Sequence, residues 1–160
     1  MAQDKNILWF EDITADHVEE VGGKNASLGE MYSQLVPKGV NIPNGFAVSS
    51  SAFWDYLEHN NLDEKLKEIF EEADLDNLEE LKQAGKKARN LIEEGEFPPE
   101  LKKQIEQAYS DLSEEYDQER VDVAVRSSGT AEDQPDASFA GQFETFLNIS
   151  GEEELLNSVK

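Results

Sequence analysis

Two cations stand apart in a 160-residue chain that carries 36 Asp plus Glu against 14 Lys plus Arg. Arg126 ends the alternation Val121-Asp122-Val123-Ala124-Val125 and opens a run of small, hydroxyl-bearing residues, Ser127-Ser128-Gly129-Thr130. A guanidinium in that place can clamp phosphate oxygens in bidentate fashion, while small side chains let backbone N–H groups approach the same anion. The loop closes on Ala140-Gly141-Gln142 before the chain turns apolar again. Lys24 follows Gly22-Gly23 and precedes a stretch with helical spacing, where a helix N-terminus adds partial positive charge beside the ammonium. Each cation also has a plainer reading. Arg126 fits a structural ion pair, which at a surface contributes about 0–1 kcal/mol, against about 1.5–3 kcal/mol for a charge-assisted hydrogen bond. Lys24 fits a turn followed by a solvent-facing lysine, and Gly-Gly-Lys is not the GxxxxGK[ST] phosphate loop. Spacing alone leaves both pairs of readings open.

The other reactive side chains are less specific. Glu132, Asp133 and Asp136 offer oxygen ligands of the kind Mg²⁺ takes, and equally suit a turn with solvated charges. Ser127, Ser128, Thr130 and Ser138 have no histidine nearby in sequence. His17 falls in an acidic N-terminal stretch, and His59 at a helix end, where the C-terminal dipole accounts for it. Nothing supports a Ser-His-Asp site built on either.

Elements to hold these residues can be read from periodicity. Ile7 to Phe10 predicts a short strand. From Asn25, the residues Ala26, Leu28, Met31, Tyr32 and Leu35 share one helical face, ended by Pro37 and Gly39. Asn44-Gly45 reads as a turn into a second strand, Phe46 to Val48. Ser49 to Ser51 offer an N-cap for a helix predicted to carry Phe53, Trp54 and Leu57 inward. A helical subdomain is expected over about 51–116. Its stripes are Leu62, Leu66, Ile69 and Phe70, then Leu78, Leu81, Ala84, Ala88, Leu91 and Ile92, then Leu101, Ile105, Ala108, Tyr109 and Leu112, with Gly95 and Pro98-Pro99 before the last. Strands return at Val121 to Val125 and Phe143 to Ile149. A final amphipathic helix from Gly151 to Lys160 is read as offering Leu155, Leu156 and Val159 to a partner outside this chain. The expected class is α+β.

Composition limits the partners. The net charge of −22 opposes binding to nucleic acid or anionic membrane, both of which need Lys and Arg. With 38% hydrophobic and 9% aromatic residues the chain is not composed like a disordered acidic tail. The excess charge reads as a solvated acidic surface or as an acidic docking face. Absence of cysteine removes disulfides and thiolate chemistry. No apolar run approaches the roughly 20 residues of a membrane helix, and MAQDKNILWFEDI has no signal-peptide pattern. A cytoplasmic protein is the expectation.

Three segments in order carry a resemblance: VGGKNASLGEM (Val21 to Met31), IPNGFAVSSSAF (Ile42 to Phe53) and VRSSGTAEDQPDASFAGQFETFLN (Val125 to Asn148). Together they resemble the start of the phosphoenolpyruvate synthase (pyruvate, water dikinase) family, whose wider group includes pyruvate, phosphate dikinase and rifampicin phosphotransferase. The resemblance covers the whole chain, strongly at both ends and loosely through the helical middle. It implies that residues 1–160 form the N-terminal part of an ATP-grasp-like nucleotide-binding domain, short strands with an inserted helical subdomain. It further implies that Lys24 and Arg126 meet the ATP phosphates, that Gly141 and Thr145 contact nucleotide through backbone and hydroxyl, and that Gln142 is their neighbour. Gly129 stands where the family commonly carries alanine, a departure that loosens the loop and touches no charged contact. The family converts ATP, pyruvate and water to phosphoenolpyruvate, AMP and phosphate through a phosphohistidine, with Mg²⁺ on the phosphates. Its TxxGGxxxHxA segment is absent from this sequence. The resemblance therefore implies an ATP-facing part, inactive alone, with metal ligands and the pyruvate site elsewhere. A stand-alone nucleotide-binding or regulatory module, or the ATP-binding part of a related phosphotransferase, are the other readings.

Overall fold

The computed structural model describes residues 6–130 and 144–160. Its architecture is α+β, with six α-helices and two separate two-stranded antiparallel sheets among the described residues. Strand β1 (Ile7–Trp9) pairs with β2 (Phe46–Val48) in the register Ile7↔Val48, Leu8↔Ala47, Trp9↔Phe46. The Trp9 and Phe46 rings meet edge-on at 5.6 Å. Between these strands lies α1 (Val18–Leu35), which is broken at Gly22 by a non-helical φ of 78° and ψ of 161°. Val36–Lys38 tightens into a 3₁₀ turn and Gly39 takes φ 86°, so the helix stops where Pro37 and Gly39 said it would.

Helix α2 (Ser50–His59) starts on Ser49, whose hydroxyl accepts from the Ala52 N–H at 3.3 Å. Its buried residues are Ala52, Tyr56 and Leu57. Phe53 and Trp54, expected to point inward, are 48% and 61% exposed, and their rings meet edge-on at 5.9 Å. The reason is angular. Once Ala52 faces the core, Tyr56 lies one turn on along the same face, and positions 53 and 54 rotate outward. Tyr56 instead donates its hydroxyl to the Ile92 carbonyl, tying α2 to the later helix that carries Ile92.

Helices α3 (Leu62–Glu72) and α4 (Leu78–Glu94) form a hairpin, with Asn77 capping α4 through the N–H groups of Glu79 and Glu80. The stripe on α4 is narrower than periodicity suggested: Ala84 and Ala88 are buried, while Leu78 and Leu81 are 63% and 40% exposed. Small residues at the contact let the helices approach, leaving the leucines of the first turn beyond the packed seam. Helix α5 (Pro99–Glu115) buries every residue of its predicted stripe, Leu101, Ile105, Ala108, Tyr109 and Leu112.

The second sheet pairs β3 (Val123–Arg126) with β4 (Thr145–Ile149) in the register Val123↔Ile149, Val125↔Phe146, Arg126↔Thr145. One irregularity falls between Val123 and Val125, where Asn148 on the partner strand has φ 58°. Helix α6 (Glu152–Val159) follows. Its Leu155 and Leu156 are not offered outward. They are buried in the main core with Ala52, Leu101, Ile105, Tyr109, Leu112 and Val121. Tyr109 closes this core with polar precision: its hydroxyl donates to the Val121 carbonyl and accepts from the Gly151 N–H, both at 2.8 Å. That single oxygen joins the entry to β3 to the exit from β4. No helix of the described residues is long and apolar enough to cross a membrane.

Candidate functional site

The broken helix α1 and the end of β3 meet, and their meeting builds the site. At Gly22 the chain turns so closely against Ser128 that a Cβ there would lie 2.3 Å from the Ser128 carbonyl oxygen. Both the space and the positive φ demand glycine. The second segment of α1 then begins, with Lys24 in its first turn. Its Nζ reaches the Ser127 carbonyl at 3.5 Å, and the Asn25 N–H donates to Ser128 Oγ at 3.3 Å. The Asn25 side chain turns back to the Val21 carbonyl at 2.9 Å, spanning the break in the helix.

Arg126 is the last residue of β3, exposed, and directly opposite Thr145 on β4. Directly paired residues of an antiparallel sheet project on the same face, so guanidinium and hydroxyl share one side of the hairpin. Since Lys24 contacts the residue after Arg126, the structure gathers Lys24, Arg126 and Thr145 at one end of the β3–β4 hairpin. The remaining predicted contacts, Gly141 and Gln142, lie outside the described residues, as do Glu132, Asp133, Asp136 and Ser138.

Beside this polar end runs a cleft of about 890 Å³ between β2 and β3. Phe46, Val48, Val121, Val123 and Val125 give it apolar walls, and Asn25, Arg126, Ser127 and Ser128 line its polar end. An apolar cavity with a few convergent polar groups is the ordinary form of a small-molecule site. Ser127 contributes a further signal: its Oγ is buried without a hydrogen-bond partner. A buried hydroxyl left unpaired is costly, and at the edge of a cleft it suits a ligand atom. In the sequence Ser127 and Ser128 stood only as small loop residues and as hydroxyls with no histidine nearby. The pairing of Gly22-Gly23 with a distant double serine was the available signal, visible only once the two segments are docked.

The histidines have local roles. His17 Nδ1 lies 3.0 Å from both the N–H and the Oγ1 of Thr14, fixing the turn ahead of α1. His59 is exposed at the end of α2. Among the described residues no group of three or more His, Asp or Glu side chains is arranged to hold a metal ion.

Residues 18–160 match the family described as pyruvate phosphate dikinase, AMP/ATP-binding domain. The chain belongs to that family. As a member of the pyruvate phosphate dikinase AMP/ATP-binding domain family it is 48% identical, over 163 residues, to the phosphoenolpyruvate synthase of Aquifex aeolicus, covering 100% of this chain and 19% of that protein. It is 47% identical over 154 residues to the phosphoenolpyruvate synthase of Helicobacter pylori, and 46% identical over 154 residues to that of Escherichia coli. In both cases the match covers 96% of this chain and 19% of the relative. The chain thus spans about a fifth of the length of these curated relatives.

Proposed function

We propose that this chain is the N-terminal part of the ATP-binding domain of a phosphoenolpyruvate synthase, a dikinase-type phosphotransferase acting on ATP, pyruvate and water in the cytoplasm. The observation that supports the reading is that Lys24 reaches the Ser127 carbonyl, next to Arg126, which pairs with Thr145 and itself lines the cleft. Residues 1–160 then form the first portion of an ATP-grasp-like domain, with a helical subdomain over about 51–116. The residues present fit the nucleotide: two cations, a first helical turn and the unpartnered Ser127 hydroxyl suit a phosphate chain, and the apolar walls suit a base.

ATP when bound supplies the phosphoryl group that the enzyme passes on. Within this chain, Lys24 offers a mobile point charge and Arg126 a planar fork, complementary ways of neutralising phosphate oxygens. Thr145 would donate its hydroxyl from the strand facing Arg126, and Gly141 and Gln142 are the further contacts that the family resemblance implies. Mg²⁺ belongs with the phosphates, with its protein ligands outside this chain.

The test is Arg126→Ala in the full-length synthase. Loss of one charge-assisted contact of about 1.5–3 kcal/mol predicts a fall in kcat/KM for ATP of roughly 10- to 100-fold, with an unchanged thermal melt. Wild-type kinetics in this variant would remove Arg126 from the site.

A further inference from the structure

The hydroxyl of Ser128 occupies the place that an N-cap side chain takes at an ordinary helix start. Gly22, with φ 78° and ψ 161°, is the non-helical residue from which the second segment of α1 departs. An N-cap residue normally turns its side-chain oxygen onto the N–H two or three residues ahead. Asn25 is three residues ahead, and glycine has no oxygen to give. The Asn25 N–H donates instead to Ser128 Oγ at 3.3 Å, across 103 residues of sequence. A Cβ added to Gly22 would fall 2.4 Å from that same Oγ, so the volume of a local cap is already filled from β3.

We propose that Ser128 is a cap supplied by a sequence-distant segment of the same chain, and that it is a positioning residue for the two cations. Lys24 lies between the capped N–H of Asn25 and the close approach at Gly22. Arg126 lies two residues before the cap, at the end of β3 where it pairs with Thr145. The Ser128 hydroxyl therefore sets the separation of ammonium and guanidinium through its bond to the Asn25 N–H, and the Lys24 Nζ contact to the Ser127 carbonyl reinforces it. The functional half of this inference rests on the reading of Lys24 and Arg126 as phosphate-facing; the structural half does not.

Two measurements separate those halves. Amide hydrogen exchange at Asn25, read by NMR on this 160-residue protein without nucleotide, should quicken at least about tenfold in Ser128→Ala. It should stay near wild type in Ser128→Thr, which keeps the acceptor. In the full-length synthase, Ser128→Ala should raise KM for ATP about tenfold, with Ser128→Thr again near wild type. Unchanged Asn25 exchange in Ser128→Ala, or equal acceleration in both variants, overturns the cap whatever the chain binds. Faster exchange with an unchanged KM overturns the positioning role.

Discussion

At the scale of single residues, the site depends on atoms that sequence can name but not orient. Lys24 and Arg126 could be singled out because each stands at a glycine pair or a strand end in so acidic a chain, while their phosphate-facing role came only with the family resemblance. Ser127 and Ser128 were not, since a hydroxyl in a loop has no distinguishing pattern until its partner appears. Tyr56 is a similar case away from the site. It is buried on α2 together with Ala52 and Leu57, and it donates to the Ile92 carbonyl. Burial raises its pKa above the usual 10.0. The folded protein therefore keeps this proton after the unfolded chain has begun to lose it. Its contribution is complete below pH 10.0 and is lost as pH rises from there through the folded pKa. Tyr56→Phe should cost about 0.5–1.5 kcal/mol at neutral pH, by urea denaturation. The difference from wild type should shrink under more alkaline conditions. A difference independent of pH would deny the hydroxyl this role.

At the scale of elements, the helices with alternating alphabets were legible and their rotations were not. α5 buried its predicted stripe because Leu, Ile, Ala and Tyr at helical spacing leave one solution. On α2, Ala52 and Phe53 compete for the same face, and packing chose the smaller residue, sending Phe53 and Trp54 outward. α6 was read as seeking a partner beyond the chain. Its leucines instead fill the core built by α5 and the entry to β3, a tertiary choice that its own periodicity does not encode. Two glycines test how closely elements pack. A Cβ on Gly29 in α1 would meet the Ile13 carbonyl oxygen at 2.5 Å and Ile13 Cβ at 2.6 Å, and Ile13 is fully buried. Gly29→Ala should therefore destabilise by about 1–3 kcal/mol despite alanine's better helix propensity. Gly85 in α4 has only the Arg89 guanidinium within reach, at 3.9 Å. Gly85→Ala should stabilise by about 0.5–1 kcal/mol. Urea midpoints moving in the same direction for both would contradict this packing.

For the whole molecule, charge is the leading consideration. The ion pairs Lys67–Glu71, Lys82–Glu79 and Lys102–Glu106 are largely exposed helix pairs, each contributing little. They leave the net charge of −22 to act through self-repulsion. The thermal midpoint should rise by several degrees as NaCl goes from about 0.01 M to about 0.5 M, because screening shortens from about 30 Å to a few ångströms. A flat profile would mean that the acidic groups are too dispersed to matter. The α+β class was readable from composition and periodicity alone. The separation of the described strands into two small sheets was not, because short strands specify alternation and leave their pairing to the turns and helices around them.

The long-range contact between Gly22–Asn25 and Ser127–Ser128 also has a kinetic meaning. Its hydrogen bonds join residues 103 apart, whereas α2 to α5 lie consecutively along the chain and can assemble through much shorter loops. Closing a long loop is slow and is rewarded only once both ends are formed. We expect the helical segment to gain protection early in refolding and the Asn25 amide to gain it late, in pulse-labelled hydrogen exchange. The ammonium and the guanidinium would then be the last features the protein acquires and the first it surrenders.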